Sequence, residues 1–438
     1  MGASAVRTWW RSLPRVRFGS GERGASAPSP VVTYYLVVIP ALVLTAFGLV
    51  MGFSASAVTN IAKGENPYVA FLRPLAIIVI ALLVAAVLQV LPERAWWSVA
   101  RWVLLAALIF QCLVMTPLGA TEGGNTNWVH IPGIPVLVQP SEFLKLALAL
   151  FLGRALTRPG ARVRDWKQML VTAGIPVVLS LGAVMLGQDL GTAIVMAACA
   201  FGAAWVAGLP GKWFAGMGLA AVPVVVYLVF ANPTRLARVK QVIPGLGTPP
   251  STSAPTQTDH ALWALGSGGW TGLGPGASRE KWNYLPAAHT DFILAIIGEE
   301  LGLLGTCTVL ACLGLLVWGM VRVCQNHSSA FARVTTGGIA AWIASQGIIN
   351  VMSVTGLGPV IGVPLPLVSY GGSSLLFTAA AVGMVASFAR GEAGMRMLGR
   401  PDESSAGRDP RRAPRRRAAR RGPTTAHHVT PPTSEVHP

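Results

Sequence analysis

Charge is what this chain has least of: Asp and Glu number 17 in 438 residues, and all charged types together make 12%. Soluble globular domains carry about 25%, so a water-soluble enzyme of two or three domains is excluded. Cysteine is sparse too. The five (Cys112, Cys199, Cys307, Cys312, Cys324) show no metal-ligand spacing, so neither a disulfide framework nor a zinc site is expected. The Gly-rich run "GSGGWTGLGPG", Gly266 to Gly276, has no strand before it and no βαβ frame around it, which excludes a dinucleotide fingerprint. Its glycines suit either backbone that bends sharply against something or a flexible tether. The net charge of +17 comes without a folded basic module, which argues against a nucleic-acid partner.

What the chain does have is apolar length. Hydrophobic residues make 53% of it, with a mean hydropathy of +0.56. A spanning helix needs about 20 mostly apolar residues. About ten windows qualify: 31–54, 72–91, 102–117, 140–157, 169–187, 189–208, 213–231, 290–320, 334–354 and 367–389. The expectation is an all-α integral membrane protein, with the fifth and sixth spans joined as a tight hairpin and the eighth long enough to tilt or project. Most of the 34 Lys and Arg fall on one set of loops and on the tails. By the positive-inside rule this puts both termini in the cytoplasm. The first window is too long for a signal-peptide core and has more spans behind it, so no cleavage is expected.

The predicted organisation is a disordered N-terminus, 1–30, a ten-helix membrane domain, 31–390, and a disordered Arg/Pro-rich tail, 391–438, containing "GRDPRRAPRRRAARRG". Between helices 7 and 8 a long external loop, about 232–289, carries Arg235, Arg238, Lys240, Arg279 and Lys281. Cations on that side favour binding of an anionic headgroup.

Three outward-opening helices begin with an acid near the first turn: Glu142 in "VQPSEFLKLAL", Asp189 in "GQDLGTA" and Asp291 in "HTDFILA". Acids at helix N-termini are ordinary caps, but ionisable groups in spans are costly unless they face partners or a cavity. With Lys145 three residues after Glu142, and with the external arginines, they suit a site for a pyrophosphate, with or without a divalent cation between acid and phosphate. Glu299 and Glu300 are expected roughly 12 Å deeper than Asp291 along the same helix, as a structural pair beside the close-packing ladder Gly298, Gly302 and Gly305.

These stretches, with "YLPAAHTDFILAIIGEELG" and above all "NVMSVTGLGPVIGVPLPLVSYGGSSLL", Asn350 to Leu376, resemble the SEDS family of bacterial cell-wall polymerases. The resemblance covers about residues 31–390 and is nearer the septal FtsW type than the elongation RodA type. It implies a peptidoglycan glycosyltransferase that polymerises lipid II at the external face of the bacterial cytoplasmic membrane, at the division septum. It implies Asp291 as the essential acid, with Glu142, Lys145 and Asp189 as polar positions of the cavity and Ser369 within the family's signature. With that resemblance, the expected roles are Asp291 as general base, His289 as an orienting neighbour, and Lys145 with Arg235 or Arg238 as charge stabilisers. Mg or Mn is a candidate cofactor and no organic cofactor is expected. Expected partners are a class B penicillin-binding protein, which is a transpeptidase, and other divisome proteins. Two positions depart from the family's pattern. Ala287 stands where a Glu is frequent, and Asn127 stands before Trp128 where an Arg is frequent. A lipid II flippase is the rival reading. No inverted repeat supports it, and acids at helix mouths, not at mid-depth, favour the enzyme.

Overall fold

The computed structural model describes residues 29–122, 125–133, 137–161, 165–242, 255–282, 285 and 290–394. The N-terminal segment before residue 29, the tail from residue 395, Ala287 and His289 lie outside the described residues. The chain divides into two units, Met1–Met395 and Arg396–Pro438, and the described residues all belong to the first.

The long helices are α1 (Pro30–Ala62), α2 (Pro67–Leu88), α3 (Glu93–Cys112), α4 (Pro140–Thr157), α5 (Trp166–Leu186), α6 (Leu190–Val206), α7 (Gly211–Phe230), α10 (Ile293–Asn326), α11 (Ala330–Val354) and α12 (Gly372–Glu392). Two short helices, α8 (Pro233–Val242) and α9 (Gln257–Gly268), interrupt the loop after α7. A small antiparallel sheet, β1 (Gly119–Glu122), β2 (Asn125–His130) and β3 (Leu137–Val138), precedes α4. Eight of the long helices are long and apolar enough to cross a membrane. Of the other two, α4 carries Glu142, Lys145 and Arg154, and α6 has only 17 residues. The molecule is therefore a multi-span helical membrane protein.

Interior contacts between helices are made through small residues, as expected where lipid supplies no hydrophobic contrast. Along the seam between α6 and α11, a Cβ on Gly202 would lie 2.6 Å from the Gly337 carbonyl. The hairpin between α5 and α6 is as tight as the sequence requires, turning at Gln188 with φ +62°. Helix α7 has no buried residue at all.

Helix α10 departs from the expected straight span. Gly302 has φ +67° and ψ −164°, a conformation essentially confined to glycine. A Cβ on Gly298 would sit 3.3 Å from Thr306 Oγ1; eight residues along a straight helix they would be about 12 Å apart. The chain thus folds back at Gly302. Residues 293–301 form a short arm, roughly 14 Å long at 1.5 Å per residue, running against the longer arm 303–326. Glu299 and Glu300 lie at the tip of this hairpin and Asp291 at the far end of the short arm. The expected straight run from Asp291 down through the two glutamates is therefore replaced by a reversal, with Asp291 at the end away from the tip and alongside the long arm.

The Gly-rich run explains how the tip is possible. Leu303 and Leu304 donate their amides to the carbonyls of Gly269 and Trp270, while Leu273 and Gly274 donate to the carbonyls of Glu299 and Glu300. The loop therefore supplies partners where the helix breaks. It must come close, since a Cβ on Gly272 would lie 2.1 Å from the Glu300 carbonyl oxygen. Both glutamates are fully buried and saturated. Glu299 accepts from Ser278 and from the Arg279 amide, and Glu300 from Ser54 of α1, the Gly276 amide and Lys281 Nζ at 2.6 Å. Lys281, which the sequence suggested as a headgroup-binding cation, is buried in this clasp.

Gly302→Ala should destabilise the fold by about 2–4 kcal/mol, combining left-handed strain with overpacking against Gly272 and Trp270. Thermal unfolding in detergent against Gly314→Ala checks this, since Gly314 has open space around it.

Candidate functional site

A largely enclosed stretch without helix, with Leu357 and Gly362 exposed, organises the site. Between α11 and α12 the chain "TGLGPVIGVPLPLVSYG", 355–371, runs back alongside α11, with φ of +73° at Gly356, +75° at Gly362 and +63° at Leu367. Irregular backbone at membrane depth is tolerated only when protein groups satisfy it. Here α11 does so with a polar stripe at i, i+4 and i+7. Gln346 Nε2 donates to the Pro364 carbonyl (2.8 Å), Asn350 Nδ2 to Val363 (2.9 Å) and Ser353 Oγ to Pro359 (3.1 Å).

The expected site residues surround this stretch. Asp291 is half-buried, and a Cβ on Gly362 would lie 3.5 Å from its Oδ2, so the loop turns its barest residue toward the carboxylate. Its backbone is held on both sides. Asn350 Nδ2 donates to the Asp291 carbonyl at 2.8 Å, and Ser369 Oγ donates to the Thr290 carbonyl at 2.6 Å while accepting the Leu365 amide. Ser369 is buried and acts as a brace in this geometry.

Lys145 is buried, with Nζ 2.9 Å from Glu142 Oε1, 3.0 Å from Gln346 Oε1 and 4.8 Å above the Trp342 ring. Glu142 Oε2 has no hydrogen-bond partner among the described residues. The pair thus stands behind the loop, linked to it through Gln346. Asp189 caps α6: it accepts from the Thr192 amide and hydroxyl (2.9 and 2.8 Å), from Asn127 (2.9 Å) and from Gln139 (3.2 Å). Its carboxylate therefore ties β2 and the lead into α4 to the start of α6. Two residues on, a Cβ on Gly191 would be 2.5 Å from Ile361, so this helix mouth abuts the loop.

Arg235 and Arg238 approach from α8, and both are half-buried. Arg235 donates to the carbonyls of Leu228 (3.0 Å) and Gln188 (2.6 Å), beside Asp189; Arg238 donates to the Val360 carbonyl (3.2 Å), two residues from Gly362. Neither guanidinium has a carboxylate partner among the described residues. Each has five N–H donors and so keeps several for an anion. No group of three or more His, Cys, Asp or Glu among the described residues is arranged to hold a metal ion.

Asp291, Ser369 and Arg238 are thus drawn together by the loop, Lys145 and Glu142 stand one hydrogen bond behind it, and Asp189 with Arg235 flanks it at the mouth of α6. Sequence reasoning assigned no role to Gln346 and Asn350. The available signal was the spacing of uncharged polar residues on one face of a span, which is costly unless something polar meets it.

Comparison with known proteins agrees with this architecture. The family profile FTSW_RODA_SPOVE, described as "Cell cycle protein", matches residues 34–393. A Trichlorobacter lovleyi protein named "Probable peptidoglycan glycosyltransferase FtsW" is 34% identical over 369 residues, covering 83% of this chain and 95% of its own. The Bacillus subtilis "Stage V sporulation protein E" is 32% identical, covering 81% and 96%. Among solved structures, a chain from work titled "Structural coordination of polymerization and crosslinking by a peptidoglycan synthase complex" superposes with TM-score 0.63 at 27% identity, covering 81% of this chain and 97% of that one. The Thermus thermophilus rod shape determining protein RodA gives 0.59 at 27%, covering 82% and 97%.

Removing Lys145 leaves Glu142 as a lone buried charge, so Lys145→Met should cost about 3–5 kcal/mol of stability. Adding Glu142→Gln should recover much of that loss. Thermal unfolding of the two variants checks the pairing.

Proposed function

The chain belongs to the FtsW, RodA and SpoVE family of cell cycle proteins, and from that membership we infer that it is a septal peptidoglycan glycosyltransferase whose chemistry centres on Asp291. The substrate in this reading is lipid II, at the external face of the cytoplasmic membrane. The 4-hydroxyl of the incoming sugar attacks the anomeric carbon of the pyrophosphate-linked glycan. The new C–O bond forms as the bond to the phosphate oxygen breaks, the electron pair leaves with the pyrophosphate, and configuration inverts. Asp291 takes the hydroxyl proton, which requires one carboxylate within hydrogen-bond reach. A second carboxylate as nucleophile is unnecessary.

The observation that carries the reading is the pairing of a half-buried acid facing Gly362 with arginines around the same loop that have donors to spare. Developing negative charge on the leaving group falls to Arg238 and Arg235, because their spare donors can be offered to phosphate oxygens. Lys145 contributes at one remove, by fixing Gln346 and through it Pro364. A Mg or Mn ion, where one takes part, would be held by Asp291 together with the substrate's phosphates, and would supply further charge neutralisation. His289 remains a proposed orienting neighbour. The likeness to a chain of a peptidoglycan synthase complex supports a crosslinking partner, which we take to be a class B penicillin-binding protein within the divisome.

One observation favours a second reading. Asp291 lies at the end of a short arm beside broken backbone, an arrangement used by transporters, so translocation of lipid II is the alternative. Asp291→Asn should fold, bind its partner and lose at least about 100-fold in polymerisation, read as glycan made from purified lipid II with the cognate transpeptidase present. Normal polymer from that variant would remove the base. Translocation of fluorescent lipid II across vesicles by the intact protein, without polymer, would favour the transporter.

A further inference from the structure

Asp291 and Gly362 belong to different walls of the site, the short arm of α10 and the loop after α11, and their separation has to be set by something that touches both. Asn350 does. Its single Nδ2 donates to the Asp291 carbonyl at 2.8 Å and to the Val363 carbonyl at 2.9 Å. The residue is 1% exposed, and its Oδ1 has no hydrogen-bond partner among the described residues. The amide orientation is therefore fixed by its two donor bonds, since a flip would point Oδ1 at two carbonyl oxygens. The other members of the stripe do something different. Ser353 holds only the loop, and Gln346 joins the loop to Lys145. Ser369 also spans the two walls, through the Thr290 carbonyl before Asp291 and the Leu365 amide three residues after Gly362, whereas Asn350 bonds Asp291 itself and the residue next to Gly362.

We propose that Asn350 is a positioning residue for the glycosyl transfer: one amide group spaces the Asp291 carboxylate from the loop at Gly362, and so sets where the acceptor hydroxyl meets its base. This rests on Asp291 being that base. Misplacement of a base by about 1 Å can cost on the order of 100-fold in rate without weakening substrate binding, because ground-state contacts to lipid and pyrophosphate are made elsewhere.

The test compares Asn350→Leu, which fills the same space without donors, with Ser345→Ala, which removes a hydrogen bond made within α11 to the Trp342 carbonyl. Both are assayed with purified lipid II and the cognate transpeptidase, alongside wild type and Asp291→Asn, with thermal unfolding recorded for each. The expected result for Asn350→Leu is a fall in kcat of about 100-fold with KM for lipid II little changed, while Ser345→Ala stays near wild type. Should Asn350→Leu fail to fold, Asn350→Ser, too short to reach both carbonyls, is expected to show the same kcat-only loss. Wild-type kcat from a folded Asn350 variant overturns the proposal. So does a loss that appears in KM, or one that Ser345→Ala shares in proportion to lost stability. If Asp291→Asn also polymerises normally, the reading of the base itself has failed; if only the Asn350 variants are normal, that reading stands and the positioning role falls.

Discussion

Backbone away from water must find its hydrogen bonds inside the protein, and this site is arranged around that constraint. The stretch 355–371 is rich in proline and glycine and has no helix of its own, so its carbonyls at Pro359, Val360, Val363 and Pro364 depend on side chains. Ser353, Arg238, Asn350 and Gln346 supply them. Two of these donors also commit a second element to the loop, since Asn350 holds Asp291 and Gln346 holds Lys145. An unmet carbonyl in this setting costs several kcal/mol. Saturation of the loop and assembly of the site are therefore one event.

The hairpin of α10 follows the same logic at its other end. Turning a helix at Gly302 exposes amides and carbonyls that the Gly-rich run from Gly268 to Gly274 takes up through its own backbone. The buried cluster of Glu299, Glu300, Lys281, Ser54 and Ser278 then fixes the tip to α1 and to the preceding loop. A buried charge pair of this sort is weak evidence for stability, because desolvation offsets much of its attraction. Its value here is specificity of register. Shifting the tip by one residue would misplace Asp291 at the far end of the arm.

Much of this was legible in the sequence, and the limits have physical causes. Hydropathy marked where long helices lie, because apolar runs in lipid favour helix, but it misplaced ends such as Ala62 of α1 and Glu93 of α3 and gave no sign that the eighth run doubles back at Gly302. The charged stretches at Glu142, Asp189 and Asp291 stood out because acids are scarce. The reversal within α10 was not legible, because periodicity cannot reveal a turn that depends on one glycine at positive φ and on a loop about 30 residues earlier. Residue type alone also left open whether Asp189, Lys145 and Lys281 face an open space or a partner. Asp189 is enclosed by Asn127, Gln139 and Thr192, and both lysines are buried against glutamates, while Arg235 and Arg238 keep donors to spare.

The central claim is that a carboxylate at the end of the short arm away from the Gly302 turn meets the sugar while arginines of α8 meet the pyrophosphate. The most direct measurement is a structure of the protein in a lipid nanodisc with a non-reactive lipid-pyrophosphate disaccharide bound. The account predicts an acceptor-side hydroxyl within about 3 Å of the Asp291 carboxylate and phosphate oxygens against Arg238 or Arg235. A bound saccharide lying away from Asp291, with both guanidinium groups still turned to backbone carbonyls alone, would contradict it.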